Sequence, residues 1–340
     1  QAWNFALDFG FLNDRITGTL DVYKMSTKDM IMSQPLQNFT GFSNITTNLG
    51  QVDNNGFELS LNTVNIQQKN FQWNTTLNFS YNKNKIRHLF YEYEDVLDAS
   101  GNVIGQKESD YTASSWFIGK PINEIWNYKV IGIWQKDEWE EAAKYKQVPG
   151  DPKVWNNPAN DVYNEDGSLK TVVYNDDDKQ FLGTTTPPIN WSLRNEFTLW
   201  KDLTVSINIY SRMGHKGLST NYLNNDDDGG RMSYAAACKE AKEYWTIYNP
   251  TNKYARIEAQ GPDGAKSPGM LYDRSFIRLE NISVGYTLPK QLTKKWDIER
   301  VKVFGTVRNV ATWAKDWEYG DPETGGLGTR IYSFGVNLTF

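Results

Sequence analysis

The closing residues, Ile331 to Phe340, alternate without a break. Tyr332, Phe334, Val336, Leu338 and Phe340 share one face, and Ser333, Gly335, Asn337 and Thr339 share the other. A period of two puts successive side chains on opposite faces of a strand. A half-buried strand of a soluble sheet alternates in the same way. An aromatic residue at the very C-terminus, closing a run of about ten alternating residues, instead matches a strand that crosses a bilayer at a tilt.

The same pattern recurs along the chain. Trp3, Phe5, Leu7, Phe9 and Phe11 alternate with Asn4, Ala6, Asp8 and Gly10, and Asn13-Asp14 then marks a tight turn. Ile16, Gly18, Leu20 and Val22 follow, and later Phe57, Leu59 and Leu61. The clearest strand sets Phe71, Trp73, Leu77, Phe79 and Tyr81 against Gln72, Asn74, Thr76, Asn78 and Ser80, with Thr75 the only polar residue on the apolar side. Trp191, Leu193, Phe197 and Leu199 lead through Lys201-Asp202 to Leu203, Val205, Ile207 and Ile209. Strands over Phe276–Leu288 and Val301–Val310 precede the last one.

This makes about nine strands. Their connections are short or moderate at Asn13-Asp14, Gln67–Asn70, Lys201-Asp202 and Pro289–Arg300. They are long at about 24–52, 83–188, 215–273 and 315–330. The expected fold is therefore all-β: a transmembrane, antiparallel, up-and-down β-barrel with short periplasmic turns and long extracellular loops. A soluble up-and-down barrel has no need of such loops, which are uncommon in compact domains. Residues 83–188 are read as one excursion in preference to an even number of extra strands. They contain a helix candidate at Lys136–Lys146, and a second lies at Ser233–Trp245. Single-chain bacterial barrels have even strand numbers, so an odd count implies that part of the barrel lies outside this chain.

Composition agrees. Mean hydropathy is -0.64, and no apolar run is long enough for a transmembrane helix. Barrel strands escape that test because alternation averages their hydropathy away. Among 340 residues there are 13 Trp, 19 Tyr and 16 Phe, an aromatic load suited to interfacial girdles or to a carbohydrate-binding surface. A net charge of -5 with interspersed signs and no basic block argues against nucleic acid as a partner.

Catalytic and metal signals are sparse. The single cysteine, Cys238, rules out an internal disulfide and a Cys-based metal site; it is read as a small residue in a loop helix. His88 and His215 each fall near the loop end of a strand, which admits a rim hydrolase with His as base. No G-x-S-x-G motif supports it, and a solvated loop histidine is the preferred reading. The run Asp176-Asp177-Asp178 is read as a solvated loop, with calcium as the lesser alternative. Upstream, Val162 occupies the first ligand position of an EF-hand-like loop and Val173 its terminal Glu position, which weakens that alternative.

Several stretches, in order, resemble one family. They are Leu7-Asp8-Phe9-Gly10-Phe11-Leu12-Asn13-Asp14-Arg15-Ile16-Thr17-Gly18, Gly41-Phe42 with Asn55-Gly56-Phe57-Glu58-Leu59, and Ile118-Gly119-Lys120-Pro121-Ile122. Toward the end come the segment Ser275–Pro289, Val307-Arg308-Asn309-Val310-Ala311-Thr312-Trp313, and Tyr332–Phe340. Together they resemble the SusC/RagA-like TonB-dependent outer-membrane transporters of Bacteroidetes. The resemblance implies the C-terminal portion of a plugged barrel of about 22 strands. It implies import of a large nutrient, an oligosaccharide more often than a peptide, across the outer membrane of a Gram-negative bacterium. Energy would come from TonB, and a SusD-like surface lipoprotein would form a lid. The plug and TonB box would lie upstream of Gln1. A passive porin or adhesin-like barrel is the alternative; an enzyme is not expected, and no cofactor is implied.

In such a barrel Asn74, Thr76, Asn78, Arg194, Glu196, Ser206 and Asn208 face the lumen, lining the channel or holding the plug, while outward residues meet outer-membrane lipid. Trp73, Trp191 and Trp313 read as wall or girdle residues. Trp116, Trp126, Tyr128, Trp134, Trp139 and Trp155, with Tyr145, crowd the long excursion. They are either ligand or lid contacts or the packing of the loop on itself or its partner, and packing takes precedence.

Overall fold

A computed structural model describes residues 1–36, 41–219, 244–256, 259–261, 269–317, 320–326 and 328–340. The alternating stretches form nine long strands of one antiparallel sheet, each pairing with the next. They are β1 (Ala2–Phe11), β2 (Ile16–Pro35), β3 (Asn44–Gln67), β4 (Phe71–His88), β5 (Ile189–Leu199), β6 (Leu203–Met213), β7 (Phe276–Thr287), β8 (Arg300–Ala314) and β9 (Ile331–Thr339).

Register carries the alternation across the sheet, because opposed residues share a face. Asn62, Thr76, Arg194 and Asn208 lie in one cross-strand row; beside it, Leu61, Leu77, Leu193 and Ile209 form another on the opposite face. The apolar face stays open: Phe334 is 85% exposed and Phe340 83%. Aromatic pairs mark two levels on it. Phe57 stacks on Phe79 at 5.4 Å toward the long connections, and Trp73 stacks on Phe197 at 5.8 Å toward the short ones.

The strands exceed their apolar stretches. Residues 24–52, expected as a loop, are mostly paired: Thr27 opposes Val52, Met30 opposes Gly50, and pairing continues to Pro35 opposite Asn44. Residues 83–88 likewise extend β4, with Ile86 opposite Val52. Backbone hydrogen bonds hold these extensions whatever the side chains, so stretches rich in Ser, Thr and Asn lose alternation and keep pairing. Beyond them, Val52, Ile86, Leu89 and Phe90 make a small buried core against which Met30, Met32 and Trp116 pack.

The short turns are tight. Asp202 N–H donates to the Leu199 carbonyl at 3.2 Å, and the two central residues, Trp200 and Lys201, have φ of 49° and 69°. Left-handed geometry at both matches the twist of a hairpin but suits Asn-Gly, not Trp-Lys. Lys201→Gly is therefore expected to stabilise the folded protein by about 1 kcal/mol, read from the urea unfolding midpoint.

The chain divides into two compact units. Unit 1 comprises Gln1–Asn123, Thr186–His215 and Arg274–Phe340, and holds the nine strands. Unit 2 comprises Glu124–Thr185 and Lys216–Asp273, drawn from the connections after β4 and β6. No strand between His88 and Ile189 joins the main sheet; β4 pairs directly with β5. Unit 2 contains small two-stranded pieces, among them Glu124–Tyr128 with Lys179–Thr184 and Val130–Ile133 with Pro152–Val154. The Lys136–Lys146 helix candidate is a 3-10 turn, Lys136–Glu138, followed by a short α-helix, Trp139–Lys144. Cys238 and residues 233–243 of the second helix candidate lie outside the described residues.

Candidate functional site

The polar face of the sheet carries the site. Asn74, Thr76, Asn78, Arg194, Glu196, Ser206 and Asn208 all line one open groove of about 750 Å³, together with Ser192, Thr198, Thr204, Asn281, Ser283, Lys302 and Thr306. They converge because β4, β5 and β6 pair without a register shift over this stretch. Hydroxyl and amide groups bond across strands: Thr76 Oγ1 donates to Asn62 Oδ1 at 2.8 Å, and Ser60 Oγ to Asn78 Oδ1 at 3.0 Å. Ser283 and Thr306 hydroxyls meet at 2.8 Å. Charge is balanced locally, with Arg194 and Glu196 paired at 2.5 Å on the same strand face. The surface offers many donors and acceptors of both senses, with Lys302 as one further cation, which suits a hydroxyl- or amide-rich ligand.

A second groove of about 500 Å³ on this face, toward the long connections, holds Asp21, Glu58, Asn190, Tyr210 and Arg212. At its edge the connection between β8 and β9 is clamped to the sheet. Arg278 of β7 is buried, 2.6 Å from Asp321 and 3.2 Å from Glu323, and its Nε donates to Thr312 Oγ1 at 3.1 Å. Tyr210 Oη donates to Glu323 at 2.6 Å, and Arg212 reaches the same carboxylate at 2.9 Å. Arg274 donates to the Pro322 carbonyl at 2.6 Å. Burial pushes the Asp321 carboxyl up, but the Arg278 guanidinium and the N–H groups of Glu323 and Thr324 outweigh it, so its pKa lies below the ordinary 3.8. Sequence reasoning missed this clamp: its acids sit in a Gly- and Asp-rich loop more than forty residues from Arg278.

The aromatic candidates are divided between the two units. Trp116 packs in unit 1, edge-on to Tyr111 at 6.0 Å. The others lie in unit 2. Trp134 is 1% exposed, donates to Gln147 Oε1 at 3.0 Å and lies under the Lys153 ammonium at 4.2 Å. Of its two readings, ligand or lid contact and packing, this burial fits packing: it is a core residue of that unit. Trp126 lies under the Lys179 ammonium at 4.4 Å, and Tyr128 packs edge-on to Tyr174 at 5.9 Å. Trp155 is half-buried and continues the backbone pairing, its N–H on the Lys129 carbonyl. Trp139 is 58% exposed on the short helix.

The aspartate run also has a structural part, contrary to its reading as a solvated loop. Asp178 is 0% exposed, and its two oxygens accept from the N–H groups of Asn157 and Asn175, both at 2.7 Å. Asp176 pairs with Lys179 at 2.8 Å, and Asp177 accepts from Asn160 Nδ2 at 3.1 Å. Asp178→Ala is expected to cost unit 2 about 1–2 kcal/mol, the scale of a lost cap, measurable as a lower thermal midpoint. Among the described residues no group of three His, Cys, Asp or Glu side chains is placed to hold a metal. His88 bonds Glu108 at 2.8 Å and stacks on Tyr91 at 4.7 Å; His215 is buried.

The family described as "TonB dependent receptor-like, beta-barrel" matches residues 1–310. The chain belongs to that family. Among its relatives is TonB-dependent receptor P26 of Formosa agariphila, 27% identical over 362 residues that cover 99% of this chain and 34% of the relative. TonB-dependent receptor SusC of Bacteroides thetaiotaomicron is 26% identical over 330 residues, covering 90% of this chain and 28% of SusC. The solved structure of the RagAB peptide transporter matches in fold with a TM-score of 0.70 at 24% identity, over 100% of this chain and 35% of that one. The chain thus spans about a third of the length of these relatives. As part of a TonB-dependent receptor barrel, its nine-stranded sheet is a portion of an outer-membrane wall.

Proposed function

We propose that this chain is wall and extracellular structure of an active importer, which carries a large nutrient across the outer membrane of a Gram-negative bacterium. The observation that carries the reading is the polar groove, a continuous lining of amides and hydroxyls, which we assign to the inner face of the barrel. Such a lining offers a hydrated cargo repeated hydrogen bonds without a deep trap. Energy is supplied through TonB, acting on a plug elsewhere in the protein, and a SusD-like surface lipoprotein serves as the lid, as the likeness to SusC suggests. The cargo proposed is an oligosaccharide. A peptide is the second reading, favoured by the likeness to a RagAB peptide importer. The protein works as a transporter, with no catalytic step and no cofactor.

The test is uptake of labelled oligosaccharide and peptide mixtures by cells carrying or lacking the gene, with and without a proton-motive-force uncoupler. Gene-dependent, uncoupler-sensitive glycan uptake is the expected result. Uncoupler-insensitive flux overturns the proposal in favour of a passive pore, and uptake of peptides alone selects the second reading. Recovery of the extracted protein without a surface lipoprotein overturns the lid.

A further inference from the structure

A patch of positive charge stands where the apolar face of the sheet ends. On that face, the aromatic level toward the long connections includes the row Phe5, Val22, Phe57 and Tyr81, opposed in turn across β1 to β4. Phe57 lies 6.1 Å from Tyr81 and 5.4 Å from Phe79. Two residues farther along each strand, the same face carries Trp3, Lys24, Asn55 and Lys83 in one row. Two farther again come Ser26, Asp53 and Lys85. Trp3 is 58% exposed, and all three lysines are exposed.

The charge in these two rows is unbalanced. Asp53 is their one carboxylate, and it is already taken: Arg87 Nε donates to it at 2.7 Å and Gln51 Nε2 at 3.2 Å. The ammonium groups of Lys24, Lys83 and Lys85 have no ion pair or hydrogen bond among the described residues. Exposed lysines elsewhere in the chain are matched by an acid, as Lys107 is by Glu94 at 2.8 Å and Lys144 by Glu141 at 2.6 Å. Lys24 and Lys83 stand two strand spacings apart, about 10 Å, and Lys85 is about 7 Å along β4 from Lys83. Three like charges at that spacing repel, and an anion from outside the chain relieves them.

Depth decides which anion meets them. Interfacial aromatics sit at headgroup level. A lysine one row beyond such a level lies about 6–7 Å farther out, and it can lay its stem on apolar surface while its ammonium reaches the headgroup phosphates. Trp3, in the same row as Lys24 and Lys83, marks that row as interfacial.

We propose that Lys24, Lys83 and Lys85 bind the phosphorylated sugar headgroup of one outer-leaflet glycolipid, lipid A. The three ammonium groups pair with its phosphate oxygens, the Asn55 amide between Lys24 and Lys83 serves a sugar hydroxyl, and the acyl chains run down the apolar face past Val22, Phe57 and Tyr81. Cations spread over about 10 Å suit a phosphorylated disaccharide better than the single phosphodiester of a glycerophospholipid. The inference rests on the apolar face being the membrane wall and on the long connections being extracellular. The identity of the cargo does not enter it.

The test is made on the full-length protein, gently extracted from its own outer membrane, with retained lipid A measured by mass spectrometry per mole of folded barrel. Lys24→Gln, Lys83→Gln and Lys85→Gln each remove one charge at an exposed position. Each is expected to lower retention about fivefold, the scale of one basic side chain at an anionic membrane surface, and the triple variant about a hundredfold. Lys83→Arg should keep retention, and Lys69→Gln, in the turn at the other end of the β3–β4 hairpin, should leave it unchanged. Heat-modifiable migration on gels establishes that each barrel has folded. Equal retention in wild type and the triple variant overturns the site and leaves the lysines as solvated charges. Loss of a glycerophospholipid in place of lipid A in the same variants also overturns it, as does equal retention of lipid A stripped of its phosphate. Absence of the wild-type protein from the outer membrane instead overturns the wall reading. Cleavage of the long connections by added protease only after the cells are opened overturns their extracellular placement.

Discussion

Arg278→Ala is expected to destabilise the folded protein by about 3–5 kcal/mol and to free the connection between β8 and β9. The guanidinium is 7% exposed, and its two carboxylate partners are held largely out of water: Asp321 at 6% and Glu323 at 21%. Removing the cation strands Asp321 in a low-dielectric site beside the rings of Tyr210 and Phe276, whose centroids lie 5.6 and 5.0 Å from the guanidinium carbon, while Glu323 keeps Arg212 at 2.9 Å. That uncompensated charge, more than the lost attraction, is what makes the change large. Arg278→Lys restores charge but not the fork that reaches Asp321, Glu323 and Thr312 together, so it should recover only part of the loss. Hydrogen exchange at the amides of Glu323, Thr324 and Gly325 is the direct readout, because these N–H groups bond within the turn that Asp321 organises. Unchanged protection there in Arg278→Ala would sink the clamp.

Acid acts on the same point. The folded Asp321 carboxyl has a pKa below its ordinary 3.8, so its contribution is complete above that value and is lost as pH falls through the lower, folded one. Exchange at the three amides should therefore stay slow at neutral pH and rise only in strong acid. In Arg278→Ala that acid-induced step should shrink, since the cation that depresses the carboxyl is gone.

What could be read from the chain followed the membrane. Wherever one face meets lipid and the other meets polar groups, hydropathy alternates, and strands such as Phe71–Tyr81 and Leu203–Ile209 stand out in the sequence. The seven inner-face candidates on β4, β5 and β6 line one groove because parity along a strand survives pairing when no bulge intervenes. The extensions of β2 and β3 past Lys24 and before Val52 have no such signal. Ser26 and Thr27, or Thr46 and Thr47, are polar in succession, yet their backbones pair, with the register shifting only on either side of Met30. The clamp was hidden for another reason. Arg278 is one more residue on a polar face until the chain returns through Asp321 and Glu323, and nothing local in a Gly-rich loop foretells where it will dock. Trp134 and Asp178 show the same limit in unit 2, where an aromatic or an acid can serve packing or capping as readily as a ligand.

Leu77→Lys is expected to cost about 2–4 kcal/mol, and Ile207→Arg a similar amount, because each puts a charge on the outward face near the middle of its strand's apolar span. Leu77 stands midway between the Phe71–Trp73 end of β4 and the Phe79–Tyr81 end, opposite Leu61 on one side and Leu193 on the other. A lysine there has little to snorkel toward, with an aromatic level to cross in either direction. The neighbouring residue reverses the outcome. Asn78 faces the groove, so Asn78→Lys changes the charge of the lining and leaves the wall intact; its unfolding midpoint should stay within about 0.5 kcal/mol of wild type. Urea unfolding in bilayers, scored by heat-modifiable migration, compares the pair directly. A loss for Leu77→Lys with none for Asn78→Lys assigns the two faces to lipid and lumen. Equal tolerance at both positions would mean that the apolar face is covered by something other than hydrocarbon, and the polar groove would then lose its place as the path for cargo.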